Sequence, residues 1–375
     1  MLNILFYTSF NSRSRDTESL MEAFVKQGHR VFVLTQTERG VYHESCEKLG
    51  VSAFAHPLKK QSPLVYFAKQ ALFLKQFCKT HRIQLVYAHL ENAGLAAVLC
   101  RPFISAKVFT CRHTVDEAEL MGSRKFMLLN KIVYSLSRNS IVVSERSKQY
   151  MVQKEGISEK KIRVIRLAYN FELYPKPNVK KVEEIREQYK AKLLMVSACR
   201  MMEGKRPHLS IEICKTLVEE GLDVKLLLLG EGPLLERLKK QVLEQKLEST
   251  VFVLGYQSNI MDFLSACDIL LHPSLQDSSS VIIKEAGLNA RTVLACKEIG
   301  DVQEYLVHQS NALLVSTSDP ASEFCKQLKA VYGQADQLQA LGQALKKTVL
   351  ERFNISTILP EYNRIHLELE SHGKN

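Results

Sequence analysis

No apolar run in this 375-residue chain approaches the roughly 18–20 residues a membrane-crossing helix needs, which excludes a helical span. The opening residues, MLNILFYTSF, lack the basic stretch and small-residue cleavage site of a secretory leader, and are expected to form a buried strand. The nine cysteines form no CxxC pair and follow no metal-ligand spacing. An odd number cannot all pair within the chain, so reduced thiols in a cytoplasmic protein are expected. No paired-aspartate metal motif and no short internal repeat occur. A nucleic-acid partner is not expected, because neither an aromatic-rich nor a recognition-helix pattern is present.

What is present is ordinary for a globular protein, 46% hydrophobic and 24% charged. At about 100–200 residues per domain, the length predicts two domains. Charge is unevenly divided. Residues 1–170 carry 26 Lys and Arg against 13 Asp and Glu, whereas residues 171–375 carry 25 against 27. A first half at +13 suits an anionic membrane surface, a phosphorylated substrate or plain solubility. The stretch AKQALFLKQFCK, residues 68–79, mixes cations with apolar residues. It suits a helix touching lipid or one packed on a core with solvated lysines.

Val/Ile/Leu-rich runs alternate with helix-period segments along the whole chain. NILFYTSF, RVFVLTQ, IQLVYAHL, KVFTCRHT, SIVVSE and IRVIRLA read as strands, with helices over 16–28, 63–81, 124–137 and 145–155 and in NAGLAAVLC. After Asn170 a charged segment with two prolines reads as a linker carrying one helix. The alternation then restarts with KLLMVSACR, VKLLLLG, VFVLG, DILLHPS, TVLAC and ALLVS as strands. Helices are expected over 207–220, 233–246, 259–266, 279–289, 320–352 and 357–370. Such alternation predicts parallel sheets covered on both faces. The α/β reading is two Rossmann-like domains, 1–170 and 171–355, facing each other across a cleft. Ligands bind at the carboxyl ends of such strands.

Three stretches fall at those ends. QDSSSVIIKEA, residues 276–286, follows a strand and opens a helix. Serine is a favoured N-cap, and the unpartnered N–H groups behind it suit an anion such as a diphosphate. Glu285, further along the helix, suits the diol of a ribose, and Asp277 the hydroxyls of a second sugar. A capped amphipathic helix with two solvated acids would use the same residues. In SACRMMEGKRP, Arg200 and Lys205 are two cations that can clamp a diphosphate or simply carry surface charge. In LLLLGEGPLL, Gly230 and Gly232 allow close approach of a ligand to the backbone, and Pro233 suits the first helical position.

On these residues the chain resembles the retaining family 4 glycosyltransferases (glycosyl transferases group 1), which have the GT-B fold. Arg200 and Lys205 match the family's cation pair, GEGP its G-x-G-P, and VFVLGYQ, with Tyr256, its LG[YF] strand end. PSLQDSSSVIIKE resembles PS-x-x-E-x7-E, with Asp277 in place of the first acid and Glu285 as the second. Ser278, Ser279 and Ser280 replace its glycine-rich middle. EIGDVQEYL resembles GG-x-x-E, with Gly300 kept and Ile299 in place of the first glycine. His113, ending KVFTCRHT, matches a histidine near the donor sugar. Where relatives often have a glycine pair after the first strand, SFNSRSRD has none and offers Arg13 and Arg15 to an acceptor phosphate.

The resemblance implies a first domain that binds the acceptor, a second that binds a nucleotide sugar, and a C-terminal helix in 356–375 that crosses back to the first domain. It implies a metal-independent hexosyltransferase, acting with retention on a UDP- or GDP-linked donor, with no further cofactor. The acceptor would be a glycan or lipid-linked hydroxyl in bacterial surface polysaccharide or lipopolysaccharide assembly, on the inner face of the plasma membrane. Arg200, Lys205, Ser279 and Ser280 would steady the departing diphosphate, Asp277 and His113 the sugar. The departure at Asp277 leaves a second reading, a non-catalytic nucleotide-sugar-binding partner subunit; a nucleotide-sugar epimerase is a third.

Overall fold

The computed structural model describes residues 1–59, 61–116, 119 and 122–372. Two compact units divide the chain: unit 1 is Met1–Leu173 with Phe353–Asn375, and unit 2 is Tyr174–Arg352.

Unit 1 is built on seven parallel strands: β1 (Asn3–Thr8), β2 (Arg30–Thr35), β3 (Ser52–Ala55), β4 (Leu85–His89), β5 (Lys107–Arg112), β6 (Ser140–Val142) and β7 (Ile162–Val164), ordered β3-β2-β1-β4-β5-β6-β7. Alternate residues of β1 serve opposite faces. Ile4 and Phe6 join one core with Leu20 and Phe24, to which the C-terminal helix Ile355–His372 adds Ile358 and Ile365. Leu5 and Tyr7 join the other with Leu74, Phe77 and Ala97. Burial on both faces explains why the strands are nearly continuous apolar runs.

Unit 2 has six parallel strands: β8 (Leu193–Ala198), β9 (Val224–Leu229), β10 (Val251–Gly255), β11 (Ile269–His272), β12 (Thr292–Cys296) and β13 (Leu313–Val315), ordered β10-β9-β8-β11-β12-β13. This is the Rossmann order, and the direction of winding reverses between β8 and β11. The loops after those two strands therefore flank a topological switch point.

Several elements differ from the sequence reading. The expected helix over 320–352 is two helices, Pro320–Val331 and Ala335–Phe353, separated where Gly333 takes a left-handed φ of +77°. Pro233 occupies a turn, and its helix starts at Leu235. The helix Val41–Lys48, the strand β3 and the short helix Val302–Tyr305 were not anticipated. All nine cysteines are free thiols, and eight are buried.

Candidate active site

Two loops meet at the switch point of unit 2. One leaves β8 through Cys199 and Arg200 and turns at Glu203–Lys205. The other leaves β11 at His272 and runs to the helix Val281–Leu288. They are joined backbone to backbone, with Leu275 N donating to Gly204 O at 2.8 Å and Gln276 N to the same oxygen at 3.1 Å. Arg206 Nε donates to Pro273 O at 2.6 Å. A Cβ at Gly204 would meet the end of the Gln276 side chain at 1.9 Å, so a larger residue would displace that side chain.

This join places Lys205 against Asp277. Lys205 Nζ donates to Gln276 O at 2.6 Å and pairs with Asp277 Oδ2 at 2.9 Å. His272 Nε2 stands 3.3 Å from the same carboxylate and 2.9 Å from Ser280 Oγ. Burial alone would raise the Asp277 carboxyl, but the His272 hydrogen bond and the Lys205 charge outweigh it and hold it well below the usual carboxylate range. Asp277 is thus an anion in place. Two of the three Lys205 N–H donors are occupied, which leaves one for an incoming oxygen.

The serines differ from expectation. Ser280 is the N-cap of Val281–Leu288 by backbone geometry, yet its hydroxyl makes no cap bond and instead meets His272. Ser279 Oγ donates to Asp301 Oδ2 at 2.5 Å. Lys284 Nζ, fully buried, completes this group at 2.8 Å from both Ser279 Oγ and Asp301 Oδ2, and lies 4.7 Å from the Tyr305 ring centroid. The backbone after Asp277 is therefore held from below by a buried ion pair, while the first N–H groups of the helix keep no intrahelical acceptor. Gly300, at φ +45°, lets this support close, since a Cβ there would meet Ser278 O at 2.4 Å.

Other expected residues fall around these loops. Arg200 is exposed, and its side chain makes no ion pair or hydrogen bond among the described residues. Glu285 is buried on the helix, one turn beyond Val281. Tyr256 follows β10 and is exposed. Gly230 and Gly232 take φ values of +125° and +152°, and the packing of the protein itself requires glycine at both. What approaches them is the protein itself: a Cβ would meet Cys199 O at 2.0 Å or Met201 O at 2.4 Å.

The remaining expected residues lie in unit 1. His113 follows β5, and its Nε2 is 2.8 Å from Nδ1 of His89, which ends β4. Burial, then the neighbouring His113, pulls His89 well below the usual histidine range. Arg13 makes a two-pronged bond to the buried Glu18, at 3.0 and 2.7 Å, and Arg15 begins the helix Arg15–Lys26. Arg13 is thus engaged within unit 1.

Chemically, unit 2 offers a preset ammonium, an exposed guanidinium and a helix N-terminus at one end of a sheet, with a buried carboxylate within reach of hydroxyls. Among the described residues no group of three or more His, Cys, Asp or Glu is arranged to hold a metal. Sequence reading missed His272, Lys284 and Asp301. The available signal was Lys284 itself, a cation inside the otherwise apolar VIIKEAGL.

Comparison with known proteins agrees with this layout. The profile of the glycosyl transferases group 1 matches residues 178–348, and that of Glycosyltransferase Family 4 matches residues 14–172. The N-acetyl-alpha-D-glucosaminyl L-malate synthase of Bacillus anthracis is 20% identical, over 100% of this chain and 98% of its own. A Campylobacter jejuni N-acetylgalactosaminyltransferase acting on a diphospho-undecaprenol-linked sugar is 24% identical, over 70% of this chain and 72% of its own. Among solved structures, Anabaena Alr3699/HepE in complex with UDP-glucose superposes with a TM-score of 0.83 at 18% identity, covering 98% of this chain and 100% of that one. TarM superposes with a TM-score of 0.80 at 12% identity, covering 98% of each. With one profile matched on each half, the chain belongs to the family 4, group 1 glycosyltransferases and has their GT-B fold.

Proposed function

We propose that this glycosyltransferase moves a hexose from a UDP-linked donor to a hydroxyl of a glycan or lipid-linked acceptor, with retention and without a metal. The observation that carries this reading is the Lys205 ammonium, fixed by Gln276 O and Asp277 at the switch point of unit 2, with one donor to spare. Relatives support a nucleotide sugar: Anabaena HepE is solved with UDP and with UDP-glucose, and TarM with UDP. The choice of UDP over GDP rests on those complexes. Relatives named for colanic acid, lipopolysaccharide and undecaprenol-linked glycans support an acceptor in surface polysaccharide assembly, met at the inner face of the membrane.

In the reaction the acceptor oxygen bonds to the anomeric carbon as the bond to the diphosphate oxygen breaks. The electron pair leaves with the nucleoside diphosphate. Attack on the face of departure lets that oxygen take the acceptor proton, so atoms and charge balance. Lys205, Arg200 and the N–H groups at the start of Val281–Leu288 stabilise the developing diphosphate charge, the term expected to contribute most. The Lys284–Asp301 pair holds the backbone that presents those N–H groups. Asp277 and His113 position the sugar. Glu285 takes the ribose diol, with Tyr256 and the Gly230–Gly232 loop bordering the nucleotide, and Arg15 meets an acceptor phosphate while Arg13 stays paired with Glu18.

The test is transfer from UDP-glucose, UDP-N-acetylglucosamine and GDP-mannose in EDTA, with the product linkage read by NMR. An α-linked product from an α-linked UDP donor is expected. A β-linkage overturns retention, dependence on added metal overturns the cationic account, and a product still attached to its nucleotide indicates an epimerase. Donor binding with no sugar release to any acceptor indicates a binding subunit.

A further inference from the structure

The largest unexplained surface feature lies in unit 1. The helices Pro63–Thr80, Glu91–Cys100 and Arg124–Leu136, with the turn Arg101–Phe103, frame an open groove of about 830 Å³. Its lining includes Leu64, Leu72, Leu99, Phe103, Leu128 and Ile132. Leu64 is 83% exposed, and Leu72, Phe103 and Leu128 are 60–66% exposed. These four elements carry ten of the 21 large apolar side chains exposed among the described residues, so the patch is a concentration and not scatter. Contiguous apolar surface of this kind marks an interaction site. The cores of unit 1 explain only the opposite side of the first helix, where Gln70, Leu74, Phe77 and Cys78 are buried.

Charge identifies the partner. Pro63–Thr80 carries Lys69, Lys75 and Lys79, and Arg124–Leu136 carries Arg124, Lys125 and Lys131; neither helix contains a carboxylate. Lys75 and Lys125 line the groove itself, and Lys75 Nζ stands 5.5 Å over the Phe103 ring. A second copy docking through the same face would bring these cations against their own kind. A surface that is apolar at its centre and anionic around it satisfies both halves of the pattern. No helix among the described residues is long and apolar enough to cross a membrane, so the contact is one that lies on the surface.

We propose that this groove docks unit 1 onto an anionic lipid bilayer, with Leu64, Leu72, Phe103 and Leu128 entering the headgroup boundary and the lysines and arginines of the two helices meeting lipid phosphates. The proposal does not depend on the donor chemistry of unit 2. It extends the expected electrostatic attraction of the basic first half to a defined surface, one that also requires apolar contact.

The test is flotation of the full chain with vesicles of phosphatidylcholine alone and of phosphatidylcholine with phosphatidylglycerol. Wild type should bind the second and not the first. Lys75→Glu/Lys125→Glu should weaken that binding ~10-fold or more, given the attraction expected per cation near such a surface. Leu64→Ser/Leu72→Ser should weaken it while leaving the thermal transition in place. Hydrogen exchange on the unaltered chain gives a second reading that needs no variant: exchange over 63–80 and 124–136 should slow with phosphatidylglycerol vesicles. Three results would overturn the proposal. They are no binding to anionic vesicles at low salt, full binding by the leucine variant, and vesicle protection confined to other segments. A concentration-dependent dimer abolished by the leucine variant would assign the groove to a second copy instead.

Discussion

Each unit reverses the winding of a parallel sheet, between β1 and β4 in unit 1 and between β8 and β11 in unit 2, yet the two switch points are built differently. In unit 2 the loops are tied together through Gly204, Lys205 and Arg206, and behind them lies the buried Lys284–Asp301 pair. In unit 1 the loop after β1 carries Arg13, bound to Glu18 of the helix that follows, and β4 ends at His89, which meets His113 after β5. The difference teaches what each half was shaped for. Under the proposed function the loops of unit 2 meet a diphosphate, a fixed anionic target that rigid, cationic loops would suit. Among the described residues unit 1 shows no comparable preset cation group, and its excess positive charge includes the helix surfaces around the apolar groove.

The largest effect that would sharpen this contrast lies at Lys284. Lys284→Ala leaves Asp301 as an uncompensated buried charge, whose Oδ1 already lacks a partner, and should destabilise unit 2 by about 3–5 kcal/mol. Urea unfolding followed by hydrogen exchange on β8 and β4 would show the loss in β8 first. Equal loss in both strands would show that the pair does not belong to unit 2 alone.

Acid should reverse the order. His43, His56, His89 and His366 of unit 1 lie below the usual histidine range, chiefly through burial, and His366 is lowered to about 4. A depressed histidine means the unfolded chain binds the proton more readily, so stability falls as pH drops below the unfolded value near 6.5 and continues to fall toward the folded one. For His366 alone the loss approaches roughly 3 kcal/mol by pH 4. In unit 2 burial lowers His208, while Asp277 stays ionised to well below the usual carboxylate range. Its contribution is lost only under stronger acid. Exchange protection at pH 4.5 should therefore decline in β4 before β8, and His366→Phe should flatten the decline.

The smallest effect on stability is expected at Arg200. As an exposed side chain with no ion pair among the described residues, it should change unfolding by less than about 0.5 kcal/mol when replaced by alanine. Turnover should nonetheless fall. A melting shift comparable to that of Lys284→Ala would erase the distinction between supporting and reacting residues in unit 2.

Much of this layout was legible in the chain. Continuous Val/Ile/Leu runs reported the sheets, because strands buried on both faces carry no alternation to obscure them. Arg200, Lys205, Asp277 and Glu285 could be placed at strand ends because the motif spacing runs from strand to helix. β3 was missed because its four residues, SAFA, are short, partly exposed and poor in branched side chains. Hydroxyl partners were not legible either. Ser280 looks like a capping oxygen in sequence, but His272, eight residues earlier, competes for it once β11 ends beside the helix. Asp301 joins Ser279 across 22 residues, through a fold that local pattern does not encode. The glycines of GEGP were recognised as necessary, yet only the packed loops show that the backbone they admit is that of Cys199 and Met201.

The central claim is that the Lys205 ammonium, preset by Asp277, stabilises the leaving diphosphate. The most direct test is the turnover of wild type and Lys205→Ala at saturating donor, with folding verified by an unchanged melting curve. The account predicts a fall in kcat of roughly 10²–10³-fold, the loss expected for one preorganised charge at a developing anion. Unchanged kcat in a folded Lys205→Ala protein would contradict it.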